Sequence, residues 1–301
     1  MQIAYGTSGI PWVRSLEGVE VLESGIGELK ATKSEDELVL EAMAKPIDSP
    51  KLSELAKGKK TCTIIISDHT RPVPSKHIIP FMLAELRQGS PDIDITLLVA
   101  TGFHRPTSKD ELTQKLGEKI VAEEKIVIHD SQDPASNVEI GVLPSGARLV
   151  IDKVAAETEL LVSEGFIEPH FFAGFSGGRK SVLPGVCDQV TVLGNHCAKF
   201  IASDCARTGV LKGNPLHIDM VDAARQAKLA YIVNVIIDED KKVVAAFAGN
   251  YVKAHETGCA FLKGYCRVKP QKRGDVVITS NGGAPLDLNI YQSVKCMSGA
   301  E

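Results

Sequence analysis

The stretch EPHFFAGFSGGRKSVLPG, residues 168–185, places a histidine, several glycines and an Arg-Lys pair close together. An imidazole can take or give a proton near neutral pH, and a lysine amine can act as a nucleophile or an attachment point. Arg179 directly precedes Lys180, and a neighbouring cation disfavours the ammonium form, which predicts a lowered pKa for Lys180. The stretch is therefore a candidate for proton transfer or covalent attachment, with an ordinary surface ion pair of Lys180 as the alternative.

Polar residues of the same kind follow three other apolar runs. They are DHTRPVPS after TCTIIIS, TGFHRPTS after DITLLVA, and NGGAPLDLNIYQSVK after DVVITS. Ligands bind beyond the carboxyl ends of strands in open parallel sheets, so four such loops on one rim predict an active site. Arg71, His104 and Arg105 are its first candidates, because arginine binds carboxylates and phosphates through paired hydrogen bonds and histidine transfers protons.

The remaining histidines are predicted to have ordinary structural roles. Five of them are expected to be solvated or hydrogen-bonded: His69, His77, His129, His217 and His255. His196 lies in VTVLGNHCAKF, which we predict to be helical, so its position alone favours a core or surface role. Position alone leaves His104 and His170 undecided between a structural and a catalytic role.

Apolar runs alternate with amphipathic segments along the chain, which predicts an α/β fold with a largely parallel sheet flanked by helices. A short β-rich segment at the N-terminus precedes this pattern. Capping boxes at Ser34/Glu37 and Ser108/Glu111 predict two helix starts. The predicted strands are 61–67, 94–100, 125–129, 159–165, 231–238 and 275–283, and further helices are predicted from Ser49-Pro50 and around 79–86, 189–202, 219–229 and 255–266.

The polar stretch KPQKRG (269–274) predicts a domain boundary. Residues 1–268 are then predicted to form an N-terminal α/β domain, and residues 269–301 to belong to a second domain. The final segment YQSVKCMSGAE is predicted to be helical but carries no helix-stop signal. We therefore expect the second domain to be truncated.

Bulk properties narrow the class of protein. A net charge of −4 gives no reason to expect nucleic acid or an anionic membrane as a partner. No apolar run approaches the roughly 20 residues of a membrane-spanning helix, and the N-terminus does not resemble a signal peptide. The 7 cysteines are scattered and form no CxxC pair. This pattern predicts reduced thiols, a cytoplasmic location and no zinc knuckle.

The segment GFSGGRKS invites comparison with the phosphate-binding pattern GxxxxGK[ST]. Gly174, Lys180 and Ser181 have the required spacing, but Arg179 occupies the position of the second glycine. No GxGxxG follows a predicted strand either. A nucleotide-using enzyme built on this loop therefore stays an alternative, and the glycines could still form an anion-binding nest.

Together, SDHTRPVPS, TGFHRP, EGFIEPHFFAGFSGGRKSVLPG, GNH and NGGAPLDLNIYQSVK make the sequence resemble the nickel-dependent lactate racemase family, the nickel-pincer-nucleotide 2-hydroxyacid racemases and epimerases. The resemblance runs along nearly the whole chain. It implies that residues 1–268 carry the cofactor lysine and the catalytic histidines. It also implies that residues 269–301 begin a second α/β domain.

The resemblance further implies a nickel pincer nucleotide, a pyridinium thioamide/thiocarboxylate mononucleotide that is bound covalently to a lysine and holds Ni. The residue roles that it implies are His104 and His170 as acid–base catalysts, Lys180 as the tether with Ser176, Gly177 and Gly178 beside the cofactor, His196 as the nickel ligand, and Asp68, Arg71, Gln292 and Lys295 as substrate-binding groups.

The implied reaction is the racemisation of a small 2-hydroxy acid by hydride transfer. The α-C–H of such an acid is too weakly acidic for easy proton abstraction, whereas hydride removal needs a base for the hydroxyl proton and an acceptor for the hydride. Phe171, Phe172 and Tyr291 favour a short aliphatic side chain such as that of lactate. The implied partners are this substrate and cofactor-synthesis enzymes. A second alternative is a protein that carries the pincer cofactor without turnover.

Overall fold

The computed structural model describes residues 1–29, 33–287, 290 and 294–299. The strands are β1 (Gln2–Tyr5), β2 (Ser8–Pro11), β3 (Thr61–Ser67), β4 (Asp94–Ala100), β5 (Lys125–Ile128), β6 (Asn137–Val142), β7 (Arg148–Asp152), β8 (Leu160–Phe166), β9 (Pro169–His170), β10 (Gly174–Phe175), β11 (Leu229–Ile237) and β12 (Val243–Gly249). The α-helices are α1 (Glu35–Ala44), α2 (Leu52–Ala56), α3 (Ile79–Gly89), α4 (Lys109–Leu116), α5 (Glu118–Glu123), α6 (Lys153–Ala156), α7 (Gln189–Asn195), α8 (Ala198–Ile201), α9 (Pro215–Gln226) and α10 (Lys253–Cys266). Short 3-10 helices span Gly25–Glu28, Ser75–His77, Gly178–Ser181 and Val294–Gly299.

Six strands form the central sheet in the order β12-β11-β8-β3-β4-β5. All neighbouring pairs are parallel except β11 and β12, which are antiparallel. The predicted α/β fold with a largely parallel sheet is confirmed. From β3 the chain builds outward through β4 and β5, and then returns to build the other half from β8. The strand order therefore reverses between β3 and β8, and ligands bind at such a switch point.

The central strands are apolar throughout because both of their faces are covered. Ile64 and Ile66 of β3 point into a core that includes helices α1, α2 and α3. Ile65, between them, points into a second core that includes α9 and the β6–β7 hairpin. Successive side chains of a strand point to opposite faces, so a strand between two cores shows no polar alternation.

Several predicted elements are confirmed at their predicted positions. The runs TCTIIIS and DITLLVA are β3 and β4. The Ser34/Glu37 and Ser108/Glu111 capping boxes start α1 and α4. The four apolar residues predicted to share one face of α3 are all buried: Ile79, Met82, Leu83 and Leu86.

Other predictions were wrong. The helix predicted over 189–202 is two helices, α7 and α8, because the chain leaves helical geometry at His196, where φ is −83° and ψ is 47°. The strand predicted over 275–283 does not form among the described residues. Val276, Val277 and Ile278 are 80%, 51% and 59% exposed there, so no packed face holds the segment extended. The N-terminal run VEVLES is also not a strand.

The β6–β7 hairpin and the edge strand β12 were not predicted. Two further helices begin away from their predicted starts. Helix α9 begins at Pro215, four residues before the predicted start at 219, and Asn214 is its N-cap. Helix α2 begins at Leu52 rather than at Ser49-Pro50. The boundary at 269 stays a prediction. All seven cysteines are free thiols, and within the described ranges no helix is long and apolar enough to cross a membrane.

The two ends of the chain meet. β1 and β2 pair as an antiparallel hairpin that turns at Gly6, where φ is +55°. The Gly6 N–H donates to Asp287 Oδ2 at 2.7 Å, and its carbonyl accepts from the Ala284 N–H at 2.8 Å. The Ser280 hydroxyl also donates to the Ala4 carbonyl. The N-terminal hairpin therefore holds residues 280–287 against β1 and the turn at Gly6.

Candidate active site

A cavity of about 320 Å³ opens at the carboxyl ends of β3, β4 and β8, beside the switch point. The predicted site residues that line it are Asp68, Arg71, His104, His170, Ser176, Gly177, Gly178, Lys180, His196 and Lys295. Gln292 and Tyr291 lie outside the described residues. Arg105 takes no part in the cavity, because its guanidinium pairs with Glu111 at 2.9 Å on the surface. Three of the four predicted loops thus meet as expected, and the C-terminal segment contributes Lys295 from a 3-10 helix rather than from a strand end.

His104 and Asp68 form a hydrogen-bonded pair on the β3–β4 side of the cavity. The imidazole Nδ1 lies 2.6 Å from Asp68 Oδ2, and the carboxylate is 2% exposed. Burial alone raises the pKa of Asp68, but the hydrogen bond and charge of His104, the charge of Arg71 and the Thr70 hydroxyl outweigh it and lower this pKa below its usual 3.8. The carboxylate therefore stays ionised and fixes the orientation of the His104 ring.

His170 has the opposite kind of surroundings. It stacks on Phe171 with ring centroids 5.1 Å apart and meets the edge of Phe172 at 4.5 Å. Its Nδ1 accepts the Ala173 N–H at 3.3 Å. Burial first, and then the charges of Lys180, Lys295 and Arg71, hold the pKa of His170 well below 6.5. The ring is therefore neutral at pH 7.

Arg179 organises the glycine-rich loop from within. Its side chain is 1% exposed, and its guanidinium donates to the carbonyls of Ala173 at 2.8 Å, Phe175 at 2.7 Å and Gly177 at 3.2 Å. A phosphate loop presents backbone N–H groups, whereas this loop turns three carbonyl oxygens inward onto its own arginine. The geometry speaks against the nucleotide-binding alternative.

Gly174 shows why the loop needs glycine. Its φ is +80°, and a Cβ at this position would lie 2.3 Å from the Val210 carbonyl oxygen. Both the left-handed backbone and the close approach exclude a side chain there. Gly178 donates its N–H to Asn234 Oδ1 at 2.7 Å, and Ser176 Oγ lies within hydrogen-bond distance of the Phe166 carbonyl. These contacts shape the turn, and a role of the two residues beside a cofactor stays a prediction.

Lys180 leaves this turn into the cavity. Its Nζ lies 5.8 Å from the centre of the Phe172 ring. Burial first, then Arg179 and Arg71, hold the pKa of Lys180 well below 10.5, as the Arg-Lys sequence predicted. A larger fraction of the amine is therefore neutral at pH 7 than in an ordinary lysine, and a neutral amine is the nucleophilic form.

His196 caps the end of α7 on the far side of the same cavity. Burial, with a smaller contribution from Lys180, lowers the pKa of His196 to about 3. The Nδ1 atom is buried and has no hydrogen-bond partner among the residues that the structure describes. A buried polar atom without a partner is costly, so this nitrogen is suited to a ligand that supplies one.

Family models match two parts of the chain. Residues 13–209 match the lactate racemase N-terminal domain, and residues 269–301 match the lactate racemase C-terminal domain. The lactate racemase of Thermoanaerobacterium thermosaccharolyticum is 50% identical over 302 residues, covering 100% of this chain and 71% of that protein. The lactate racemase of Lactiplantibacillus plantarum is 57% identical over 268 residues, covering 89% of this chain and 63% of that protein.

The chain belongs to the lactate racemase family.

Solved structures agree with this assignment. The lactate racemase apoprotein of Thermoanaerobacterium thermosaccharolyticum superposes with a TM-score of 0.91 at 49% identity, covering 99% of this chain and 70% of that one. A protein from Thermotoga maritima shares the fold, with a TM-score of 0.63 at 20% identity. The predicted family is confirmed, and with it the enzyme class, an isomerase of the racemase type.

The lactate racemase family is nickel-dependent, so the cavity can be tested for its fit to nickel. Within residues 1–29, 33–287, 290 and 294–299, no group of three or more His, Cys, Asp or Glu side chains could hold a metal ion. The cavity instead offers His196, a neutral imidazole whose buried Nδ1 has no partner among the described residues, and the Lys180 amine of lowered pKa. This set suits a metal that arrives with most of its donors already attached, because imidazole is a good nickel ligand and the amine can form a covalent link.

The sequence analysis missed a buried acid in the cavity wall, Glu164, and a half-buried lysine that contacts the neighbouring loop, Lys115. Glu164 is an acid within the apolar run ELLVSEG of β8, and this break in an otherwise apolar strand was the available signal. Lys115 lies at the end of α4, where nothing in the sequence distinguishes it from a surface lysine. The five histidines with predicted structural roles are hydrogen-bonded, as expected, with Thr107, Asp36, Asp152, Arg179 and the Ser176 carbonyl among their partners.

Proposed function

We propose that the chain carries the cofactor-holding and acid–base machinery of a cytoplasmic racemase that interconverts D- and L-lactate or a similar short-chain 2-hydroxy acid. The similarity to two lactate racemases supports this substrate. The observation that carries the proposal is that two imidazoles of different loops, His104 and His170, face one cavity together with Lys180 and His196. Cofactor-synthesis enzymes are the partners that such a protein needs.

The hydrogen bonds of the two histidines support different orientations of their ring nitrogens. An ionised carboxylate only accepts, so His104 donates from Nδ1 to Asp68. His170 accepts at Nδ1 from the Ala173 N–H, so its neutral ring carries the proton on Nε2. A carboxylate thus orients one ring, and a backbone amide orients the other.

This pairing suits racemisation. The two enantiomers place their hydroxyl groups on different sides of the α-carbon, so a separate base serves each. His104 would take the hydroxyl proton of one enantiomer, and His170, in its imidazolium form, would return a proton to the oxygen on the other side, so that one extra proton passes from His170 to His104. The carboxylate of the bound substrate would support this extra proton. Asp68 stabilises the imidazolium that His104 becomes, and the reverse reaction starts from the exchanged protonation states.

The positively charged side chains of the cavity would bind the substrate carboxylate. Arg71 donates to Thr70 Oγ1 at 2.8 Å, which directs it beside Asp68, and Lys295 enters from the C-terminal segment. Burial and the nearby Arg71 lower the pKa of Lys295 to about 8. A bound carboxylate would compensate the mutual repulsion of these cations. Phe171 and Phe172 form an apolar wall that suits a small aliphatic substituent.

The proposed resident group is a nickel pincer nucleotide attached to Lys180. When bound it would supply the hydride acceptor, which protein side chains lack. Lys180 fits the attachment because its lowered pKa favours the neutral amine. His196 fits the nickel because its buried Nδ1 has no partner among the described residues. Ser176, Gly177 and Gly178 line the cavity beside the tether.

Mass spectrometry of the Lys180 peptide, combined with nickel analysis, tests the proposal. The protein is co-expressed with cofactor-synthesis enzymes, in this form and extended to the length of its relatives. We expect a mass addition on Lys180 and nickel near one per chain. Lys180→Ala should abolish both, whereas Lys199→Ala, which changes an exposed lysine of α8, should abolish neither.

Racemisation assays then separate a racemase from a carrier protein. Loss of lactate racemisation in His104→Ala and His170→Ala, with nickel and the Lys180 adduct retained, supports the racemase. A fully loaded, extended chain that never racemises lactate or another short 2-hydroxy acid would favour the carrier. An unmodified Lys180 without nickel in the extended chain contradicts the cofactor assignment.

A further inference from the structure

Glu164 lies near the carboxyl end of β8 with only 3% of its surface exposed. One of its oxygens, Oε1, accepts three hydrogen bonds: from the Ser67 N–H at 3.0 Å, from the Ser67 hydroxyl at 2.9 Å and from the Ser75 hydroxyl at 3.1 Å. Ser67 is the last residue of β3, and Ser75 begins the 3-10 helix that follows. A single carboxylate oxygen therefore holds both ends of the loop 68–74, which carries Asp68 and Arg71.

The sheet explains why a side chain is needed at this point. The pairing of β3 with β8 ends at Ile65 and Ser163, whereas β3 continues to pair with β4 as far as Ser67. The strands on either side of the switch point thus separate over their last residues, and this separation opens the cavity. Glu164 bridges the gap with hydrogen bonds from its side chain.

Lys115 holds the same loop from the other side. Its Nζ donates to the Arg71 carbonyl at 3.2 Å and to the Val73 carbonyl at 3.3 Å. Its positive charge is also attracted by Glu164 and Asp68. The loop 68–74 is therefore held between a buried anion from β8 and a cation from α4.

We propose that Glu164 and Lys115 are positioning residues that hold the loop 68–74 so that Asp68 meets His104 and Arg71 faces the cavity. Burying a carboxylate costs free energy that an apolar residue of similar size would not, and this cost is hard to explain by stability alone. All three donors to Glu164 come from the two ends of the loop. The catalytic meaning of the clamp rests on the proposed function, but its geometry does not.

Hydrogen–deuterium exchange of the protein without cofactor tests the clamp directly. In Glu164→Gln we expect the amides of residues 68–75 to exchange about tenfold faster, since a hydrogen bond to a charged group contributes roughly 1.5–3 kcal/mol and about 1.4 kcal/mol is tenfold. Lys115→Met should affect the same amides. Residues 173–180 should exchange as in the parent, which distinguishes a local effect from general loosening.

Glu159→Gln is the matched control. Glu159 directly precedes β8, and its Oε2 accepts from the Lys60 N–H at 2.9 Å. It thus joins the same two strands at the opposite end of the sheet, so its loss should leave residues 68–75 unchanged. Unchanged exchange of residues 68–75 in both Glu164→Gln and Lys115→Met overturns the proposal, whether or not the chain is a racemase.

A double-mutant cycle adds a readout that a purely structural role would not move. In the loaded enzyme, Glu164→Gln should lower kcat about 10–100-fold, as for other residues that orient catalytic groups. Combined with Asp68→Asn, it should cost less than the product of the two separate losses, because part of the effect of Glu164 acts through Asp68. If the fold losses in kcat of the two single variants multiply in the double variant, the proposal is wrong. Faster exchange in a chain whose parent never racemises would support the clamp and contradict the proposed function.

Discussion

The loop 68–74 and the loop 173–178 both follow strands of the central sheet and both reach the cavity, but buried charges of opposite sign hold them. The first loop gathers N–H and O–H donors around the Glu164 carboxylate. The second gathers carbonyl oxygens around the Arg179 guanidinium. Each charge lies behind its loop, so each also sets the potential in its part of the cavity.

The difference explains the surroundings of the two histidines. On the anionic side, Asp68 remains ionised and accepts the Nδ1–H of His104. On the cationic side, His170 and Lys180 have no carboxylate hydrogen bond among the described residues, and their pKa values are held well below the usual ones. A single cavity thus contains one histidine that is hydrogen-bonded to an ionised carboxylate and one that burial and nearby cations keep neutral.

The largest expected effect comes from removing either histidine. His104→Gln and His170→Gln should each reduce racemisation of lactate in the loaded enzyme by about 10²–10⁴-fold, the usual contribution of a proton-transfer group. The control is His77→Gln, because His77 pairs with Asp36 at 2.7 Å and does not line the cavity. If only one of the two substitutions matters, the two regions do not share the proton transfers.

The next effect concerns the stability of the second loop. Arg179→Met removes a charged donor from three buried carbonyls, and we expect the free energy of unfolding to fall by about 3 kcal/mol. Denaturant unfolding measures this loss. Arg148→Met is the comparison, because Arg148 pairs with Glu139 on the surface, where solvent screening leaves an ion pair with little effect on stability. Equal losses in the two variants would mean that Arg179 is not the organiser of the loop.

A smaller effect concerns the reactivity of Lys180. Its lowered pKa increases the neutral fraction of the amine at pH 7.5, so a neutral acylating reagent should modify Lys180 faster than Lys199 by at least about tenfold once access is allowed for. Peptide mass spectrometry over a pH series gives the rates. Equal rates with the same pH dependence would show that the cationic region does not influence the amine.

The smallest effect is a difference in acid sensitivity. Burial and then Arg179 lower the pKa of His217 to about 4, so between pH 6.5 and about 4 the unfolded chain binds a proton that the folded chain does not. The free energy of unfolding therefore decreases as the pH is lowered through this window. Asp68 behaves differently, since its pKa lies below 3.8 and its stabilising contribution is lost only at lower pH.

Hydrogen exchange on acidification should therefore show residues 173–178 losing protection before residues 68–74, after correction for the intrinsic pH dependence of exchange. His217→Gln should reduce the difference, because Arg179 Nε donates to His217 Nδ1 at 3.1 Å in the parent. Simultaneous loss of protection in both loops would remove the proposed electrostatic distinction between them.

Local signals in the sequence were sufficient for much of this architecture. Capping boxes and uninterrupted apolar runs depend on neighbouring residues, so Ser34, Ser108 and the strands β3 and β4 were predictable. The strand predicted over 275–283 failed because extended structure needs a partner strand, which local composition does not reveal. The break of the helix at His196 was not predicted, because the residues around it have a helical pattern.

The sequence predicted which residues belong to the site better than it predicted how they contact one another. Strand ends identified the loops, and the resemblance to the family identified the individual residues. Nothing in the order of residues indicated that Arg179 would fill its own loop or that Glu164 would bridge two separated strands. The Glu164 bridge is a long-range consequence of the strand order, because it forms only when β8 lies beside β3. The Arg179 contacts lie within six residues of the chain, but they depend on the fold of the glycine-rich turn.

The contact between the two ends of the chain has a consequence for synthesis. Gly6 receives its hydrogen bond partner Asp287 only after 281 further residues have been added. At the usual 5–20 residues per second, the N-terminal hairpin waits about 15–55 s on the ribosome before its partner exists. Four-residue strands with largely exposed side chains gain little from pairing on their own. We therefore expect residues 2–11 to become ordered only after residues 280–287 have been synthesised.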